Sequence, residues 1–130
     1  MSEQDVATVR SAYENFNQGN IPAVLEIYDE QIEWTEPGGG NAPAGTFKGR
    51  DEVAGKVFGT VPENFDQFGV EIDDVEDKGD TVVVTGRYKG RNKSGAELDA
   101  PFEHTNEMKD GKLVRFENKV DKEAWAAGWS

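Results

Sequence analysis

The first third of the chain carries apolar residues at the spacing of a helix. Four of them recur every three or four positions and share one helical face: Val6, Val9, Tyr13 and Phe16. Gly19 follows as a stop signal, so the pattern predicts a first helix over about residues 4–18. Asn20 and Pro22 are typical of a helix start, and the apolar run AVLEIY (23–28) predicts a short, largely buried second helix.

The next part of the chain predicts one strand, one loop and one further helix. Residues 31–36 read as a strand, and residues 37–46 are rich in Gly, Pro, Ala and Asn, which favours a loop. The stretch DEVAGKVFGT (51–60) predicts a third helix, although Gly55 inside it is a poor helix former.

From residue 66 onward the period changes to the alternation that is typical of strands. Four stretches show it: FGVEIDDVED (68–77), TVVVTGRYKG (81–90), AELDAPFEHTNEMK (96–109) and KLVRFENKVD (112–121). Turn signals separate them, and Asp110-Gly111 is the strongest of these. The stretch KEAWAAGW (122–129) predicts a short closing helix.

This order of elements predicts an α+β fold in a single domain, residues 1–130. We expect a curved, mixed or antiparallel sheet, built from a four-strand meander and one earlier strand. Three helices from the N-terminal half would lie across its concave face and enclose a cone-shaped cavity.

Composition narrows the classes of function. The net charge is −12, from 14 basic and 26 acidic side chains, so no basic stripe exists to bind nucleic acid or an anionic membrane surface. Cysteine is absent, which excludes disulfides and thiolate metal sites, and one histidine offers few other ligands, so we expect no metal and no cofactor. The N-terminal stretch MSEQDVATVR lacks an apolar signal core, and no apolar run approaches a membrane span, so a cytoplasmic protein is expected.

The stretch IEWTEPGGG (32–40) places a carboxyl group at the end of an apolar strand. Because side chains alternate along a strand, Ile32, Trp34 and Glu36 share one face, which we expect to point inward. A carboxyl buried beside Trp34 would have a raised pKa and could serve as a base. Alternatively, Glu36 is a solvated residue and Pro37 only ends the strand. The three glycines lack the context of a phosphate-binding loop and predict a mobile loop at the mouth of the cavity.

A second inward face is predicted on the long strand 96–109. It carries Phe102, His104, Asn106 and Met108. An imidazole among apolar residues can donate a hydrogen bond or act as a base, or it can be a core histidine satisfied by a neighbour. Asn106 would bond a ligand carbonyl or satisfy a buried backbone group. Trp34, Phe58 and Phe102 would form the apolar wall of a ligand site, or simply core.

Three stretches of the chain resemble a known superfamily: YENFNQGNIPAVLEIYDEQIEWTEP, GTFKGRDEV and FEHTNEMKDGKLVRFENKVD. Together with the order of elements, they resemble the nuclear transport factor 2-like superfamily, and more narrowly its ketosteroid isomerases and SnoaL-like polyketide cyclases. The resemblance covers nearly the whole chain. It implies the cone-shaped fold, and it leaves the activity open, because one fold hosts many functions.

The resemblance also implies roles for particular residues. Glu36-Pro37 stands where ketosteroid isomerases have Asp-Pro, whose Asp is the general base, and His104 stands where they have a protonated Asp that donates to the enolate oxygen. Asp121 matches a functional Asp of several SnoaL-like cyclases and could pair with His104, or it could cap the closing helix. The oxyanion-hole tyrosine would be Tyr13, but the count from Gly19 falls one residue earlier, which rotates the position by about 100°. Tyr13 would therefore either bind the ligand and assist His104, or belong to the core stripe. Tyr88, on the central strand, is an alternative hydroxyl that the resemblance does not support.

These residues lead to three functional hypotheses. The first is a cofactor-free enzyme that acts on a small hydrophobic carbonyl compound by proton transfer through an enolate, as an isomerase or a cyclase. The second is a module that binds a small hydrophobic molecule without chemistry. The third is an interaction domain. By resemblance we expect a homodimer that pairs through the outer sheet face, with Trp125 or Trp129 at its edge.

Overall fold

A computed structural model describes residues 2–130 of the chain. The helices are α1 (Ser2–Asn17), α2 (Ile21–Ile27), α3 (Arg50–Glu52), α4 (Thr60–Asn64) and α5 (Lys122–Gly128), and a π-helical segment (Val53–Phe58) joins α3 to α4. The strands are β1 (Tyr28–Pro37), β2 (Ala44–Lys48), β3 (Phe65–Asp77), β4 (Thr81–Asn92), β5 (Glu97–Lys109) and β6 (Lys112–Val120). These elements confirm the predicted α+β class.

The strands form one curved, unclosed sheet in the order β2-β1-β6-β5-β4-β3. The predicted meander is confirmed, since β3, β4, β5 and β6 pair in sequence and antiparallel. The turn between β5 and β6 has positive φ at both Asp110 and Gly111, as a tight hairpin requires. Strand β1 then joins the far side of β6 in parallel, with Thr35 opposite Glu117. This pairing places β6 between β1 and β5.

Helix α1 lies against the sheet through the face that the spacing predicts. Val9 and Tyr13 are buried on that face. At the end of the helix, the side-chain amide of Asn17 accepts from the backbone N–H of Val70 and donates to its carbonyl, at 2.9 and 2.8 Å. This pair of bonds fixes the end of α1 to β3. Within residues 2–130, no helix has the length and apolar character to cross a bilayer.

Two predicted elements differ from the structure. The predicted loop 37–46 contains most of a strand, because β2 pairs with the end of β1 and Phe47 lies opposite Trp34. Ala44 and Gly45 have low strand propensity, so pairing with β1 decides the conformation. The predicted helix 51–60 is broken into α3, the π-helical segment and α4. A Cβ at Gly59 would lie 2.5 Å from the carbonyl oxygen of Gly55, so glycine permits this widened turn.

The core fills the concave face of the sheet. Along β5 every second side chain is buried, including Phe102, His104, Asn106 and Met108, as the alternation predicts. Helix α5 packs onto β5, and Trp125 in the helix and Trp129 just after it are buried, at 3% and 2% exposed. The placement of these tryptophans at a dimer edge is therefore wrong, because they belong to the core of a single chain.

Candidate active site

A cavity of about 80 Å³ lies between the concave face of the sheet and the helices. Its wall is mainly aromatic: Phe16, Tyr28, Trp34, Phe58, Phe68, Phe116, Trp125 and Trp129. Its polar members are few: Tyr13, Glu36, Tyr88, His104 and Asn106, besides the hydroxyl of Tyr28 and the indole nitrogens. In the part of the chain that the structure describes, its lining includes no lysine and no arginine.

Glu36 lies inside this cavity with both carboxylate oxygens hydrogen-bonded. Ile32, Trp34 and Glu36 are all buried, which confirms the predicted inward face of β1. The indole Nε1 of Trp34 donates to Oε2 over 2.5 Å, and the side-chain amide of Asn118 donates to Oε1 over 2.9 Å. Burial raises the pKa of Glu36 to about 7, while the two hydrogen bonds act in the opposite direction. Near neutral pH the carboxyl group can therefore release or accept a proton.

His104 lies between two tyrosine hydroxyl groups. Its Nδ1 is 2.6 Å from the hydroxyl of Tyr13, and its Nε2 is 2.6 Å from the hydroxyl of Tyr88. Burial lowers the pKa of His104 to about 3, against the opposing effect of Asn118, so the ring is neutral at physiological pH. A neutral imidazole has one N–H and one acceptor nitrogen. One tyrosine therefore donates to the ring, and the other accepts from it.

The two tyrosines are hydrogen-bond donors and not phenolates. Burial raises the pKa of both Tyr13 and Tyr88 above the ordinary value for a phenol. The tyrosine that accepts from the imidazole still has its own O–H, which it can donate to another group in the cavity. That hydroxyl is held in place by its bond to His104.

The predicted wall residues are only partly in contact with the cavity. Trp34, Phe58 and Asn106 line it, but Phe102 does not. The ring of Phe102 stacks on His104, with centroids 3.8 Å apart and planes at 15°, so it supports the imidazole without lining the cavity. The amide of Asn106 donates to the backbone carbonyl of Val82 over 3.2 Å, which is the backbone alternative for this residue.

Asp121 does not reach the site. Its side chain is exposed and accepts from the backbone N–H of Ala124 over 3.0 Å, so it caps the start of α5. The predicted His104–Asp121 pair is wrong, because both ring nitrogens of His104 already face tyrosines. The alternative role for Asp121, the helix cap, is the one that the structure has.

The glycine loop (residues 38–43) lies against the end of α5. The backbone N–H of Asn41 donates to the carbonyl of Trp129 over 3.0 Å. Gly40 has φ of +57°, and a Cβ there would lie 2.9 Å from the carbonyl oxygens of Ala126 and Trp129. Pro43, which follows in the same loop, lines the cavity. The loop therefore borders the cavity, as expected, and rests against the last helix.

Two members of the site received little or no support from the sequence. Tyr88 was no more than an alternative hydroxyl group, and Asn118 had no assigned role. Both follow from the alternation that identified His104: Val82, Val84 and Tyr88 are buried along β4, and Phe116 and Asn118 along β6. Across residues 2–130, no three His, Asp or Glu side chains are grouped so as to hold a metal ion.

Comparisons with known proteins agree with this architecture. The family model of the SnoaL-like domain matches residues 9–116, and the chain therefore belongs to the SnoaL-like family. An NTF2-like protein from Burkholderia thailandensis is 30% identical, with 92% of each chain covered and a TM-score of 0.86. Bal32a, from a soil-derived mobile gene cassette, is 28% identical over 99% of this chain and 98% of its own, with a TM-score of 0.91.

A third solved structure shares the fold at lower identity. It is that of TerC co-crystallised with polyporic acid, which is 24% identical over 93% of this chain and 94% of its own, with a TM-score of 0.83. A search of curated proteins found no match.

Proposed function

We propose that this protein is a cofactor-free enzyme that moves a proton between carbon atoms of a small, hydrophobic carbonyl compound through an enolate. Isomerisation and aldol-type cyclisation share this intermediate, and both are consistent with the site. The observation that carries the proposal is the pairing, in one cavity, of a carboxyl group whose pKa is about 7 with a Tyr13–His104–Tyr88 hydrogen-bonded group.

Glu36 is the proposed base. A base with a pKa near the working pH combines a sufficient ionised fraction with the ability to hold the proton it takes, and burial gives Glu36 that property. The donors Trp34 and Asn118 fix the plane of the carboxylate. The carboxylate would remove the proton from the carbon next to the carbonyl group and return it to another carbon.

The proposed donor to the enolate oxygen is the tyrosine that accepts from His104, either Tyr13 or Tyr88, because its own O–H is not used by the ring. A hydroxyl held in place before the reaction stabilises the negative charge that develops on that oxygen without reorganisation. His104 keeps both hydroxyls oriented through bonds of 2.6 Å. This refines the sequence-based hypothesis, in which the imidazole itself was the donor.

The cavity also limits the substrate. Its lining is mostly apolar, and the described residues around it include a buried carboxyl group but no cationic side chain. A carboxylate or phosphate on the ligand would therefore be buried without a partner, at a high cost in free energy. A volume of about 80 Å³ is suited to one compact molecule. TerC, which has the same fold, was crystallised with polyporic acid.

A non-catalytic ligand-binding module is the second candidate, and one observation favours it. The side chains of Tyr13, Glu36, Tyr88 and His104 all have hydrogen-bond partners within the chain, so the cavity is stable as an apolar container. In that case the ligand would be recovered unchanged, and Trp34 would report its binding by fluorescence quenching.

Deuterium exchange tests the proposal without knowledge of the substrate. A panel of small neutral ketones is incubated with the protein in D2O, and loss of the proton next to the carbonyl group is followed by NMR. We expect accelerated exchange for at least one apolar ketone and its loss in Glu36→Gln. Glu33→Gln, on the opposite face of the same strand, is the matched control and should exchange like the wild type. If no ketone exchanges faster than in buffer, or if Glu36→Gln is as active as the wild type, Glu36 is not the base.

A further inference from the structure

Asn118 lies between the two halves of the site. Strand β6 is flanked by β1, which carries Glu36, and by β5, where His104 is directly opposite Asn118. The Asn118 side chain is 3% exposed, and its Nδ2 donates to Oε1 of Glu36 over 2.9 Å. It also affects the pKa of His104 and of Tyr88. No other side chain described above both donates a hydrogen bond to Glu36 and affects the pKa of His104.

The other end of the amide has no partner. Among residues 2–130, the buried Oδ1 of Asn118 has no partner that meets the geometry of a hydrogen bond. A buried carbonyl oxygen without a partner costs free energy, so an unpaired atom beside a titrating group requires a reason. The chemistry of the amide offers one. Its oxygen is an acceptor and its nitrogen is a donor on the same planar group, so a rotation exchanges the two.

The two donors to Glu36 differ in what happens when the carboxyl group becomes protonated. The indole N–H of Trp34 can only donate, so it serves the ionised carboxylate and cannot accept the new O–H. Asn118 can turn about its last side-chain bond and present Oδ1 to a proton on Oε1. Trp34 therefore favours protonation at Oε1, the oxygen that Asn118 faces.

We propose that Asn118 is a positioning residue whose amide follows the protonation state of Glu36, donating Nδ2–H to the carboxylate and turning to accept from the carboxylic acid through Oδ1. The turn of the amide requires only that Glu36 titrates, and its part in catalysis rests on the proposed function. In each cycle Glu36 would take a proton and give it back, and Asn118 would hold the carboxyl group in both states. The same turn would present the amide N–H groups to the side of His104 and Tyr88 whenever Glu36 holds the proton.

The groups that face Glu36 could each affect a titration of the site. Trp34 lies on the same strand, Asn118 on β6, and the phenols of Tyr28 and Tyr88 interact with its charge. The phenols and the neutral His104 do not change charge near neutral pH. Around neutral pH, Glu36 is therefore the group in the cavity that titrates.

Side-chain NMR of the 15N-labelled protein tests this directly. The Nδ2 resonances of Asn118 and the Nε1 resonance of Trp34 are followed across pH values on either side of the Glu36 pKa. We expect both to titrate with one shared midpoint, and we expect both titrations to vanish in Glu36→Gln. In Asn118→Leu, which keeps the side-chain size, Glu36 loses a hydrogen bond in both protonation states. The bond to the charged carboxylate is the stronger of the two, so the Trp34 midpoint should rise by about one pH unit.

The outcomes separate this inference from the proposed function. The inference about Asn118 is overturned if its Nδ2 resonances stay constant while the Trp34 resonance titrates. It is also overturned if the Nδ2 resonances titrate equally in Glu36→Gln. An unchanged Trp34 midpoint in a folded Asn118→Leu overturns it as well, and if that variant does not fold, the wild-type and Glu36→Gln titrations still decide. A shared titration without ketone exchange would leave the role of Asn118 intact and refute the enzyme.

Discussion

The indole N–H of Trp34 donates to the carboxylate of Glu36, two residues further along the same strand, over 2.5 Å. The two side chains lie on the same face of the strand, and the indole, which can only donate, faces a carboxyl group that titrates. The fluorophore therefore lies next to the carboxyl group on which the proposed chemistry depends, so the ionisation of Glu36 can be followed without a substrate. Trp34 fluorescence should change with pH around 7, and Glu36→Gln should abolish that change.

The buried pair Glu36 and His104 predicts an unusual pH dependence of stability. Folded Glu36 keeps its proton up to a pKa of about 7 instead of 4.5, so between these values its contribution to stability falls as pH rises, by about 3 kcal/mol in all. Folded His104 has a pKa of about 3 instead of 6.5, so its contribution to stability rises with pH between these two values, by about 5 kcal/mol in all. Between pH 4.5 and 6.5 the two slopes cancel.

Glu36→Gln should remove this cancellation. Its free energy of unfolding, measured with urea at a series of pH values, should rise relative to that of the wild type from pH 4.5 to about 7, because only the His104 slope remains. Glu33→Gln, at a half-exposed carboxylate paired with Arg115, should run parallel to the wild type. Parallel curves for Glu36→Gln and the wild type would show that Glu36 is already ionised at pH 4.5.

Removal of either tyrosine hydroxyl leaves one His104 nitrogen unpaired. Tyr13→Phe and Tyr88→Phe should each destabilise the protein by about 1–3 kcal/mol, the cost of a buried polar group without a partner. One of these two hydroxyls is the proposed donor to the ligand, and the variant that lacks it should show a rate of ketone exchange lower by about a hundredfold or more. Tyr28→Phe is the matched control, since Tyr28 lines the same cavity without bonding His104. Equal exchange rates in all three variants would argue against tyrosine donors.

The contact between the glycine loop and α5 predicts a local sensitivity. Gly40→Ala places a Cβ 2.9 Å from two carbonyl oxygens at a positive φ, so both strain and a clash should destabilise the protein. Gly45→Ala also has a positive φ but meets nothing within 4 Å, and it isolates the strain. We expect Gly40→Ala to lower the midpoint of thermal unfolding further than Gly45→Ala. Equal midpoints would show that the loop yields at Gly40.

The homodimer expected from the resemblance stays a prediction. The outer face of β4 and β5 carries charges of both signs, with Asp99 bound to Arg87 and Lys89 at 2.7 and 3.2 Å. If that face forms the interface, light scattering at micromolar concentration should give twice the mass of one chain. Asp99→Lys, which puts three cations together, should shift the protein toward the monomer. A wild-type monomer under these conditions would refute the dimer.

The elements that the sequence predicted well are those in which local pattern and final packing agree. The alternation along β5 placed His104 and Asn106 on the buried face, and the helical spacing placed Val9 and Tyr13 against the sheet. Strand β2 was missed because Ala44 and Gly45 give no local strand signal, and its conformation depends on pairing with β1. The break at residues 53–58 depends on the close backbone approach at Gly59, which spacing does not reveal.

The site was harder to predict because its partners are distant in sequence. The alternation along the strands identified Glu36 and His104 as inward-facing. It could not show that Tyr13, 91 residues earlier in the chain, bonds the imidazole, or that Tyr88 bonds the other ring nitrogen. Asp121 was assigned to the site by resemblance, but its carboxylate caps the closing helix α5, which was the alternative role. The hydrogen-bond partner of each of these side chains depends on which strands and helices are neighbours in space, and that order is a property of the whole fold.

Strand β6 is the last strand of the sheet to be synthesised, and it occupies the position between β1 and β5. Until it enters, Glu36 and His104 belong to two separate pieces of sheet with a gap the width of one strand. A growing chain therefore holds every residue of the proposed chemistry except Asn118 before it holds a site. The pairing of β1 with β6 joins residues as far apart in sequence as Thr35 and Glu117, and such distant contacts are typical of slow-folding proteins. The cavity cannot be complete before β6 is in place, so the incomplete protein has no working pocket.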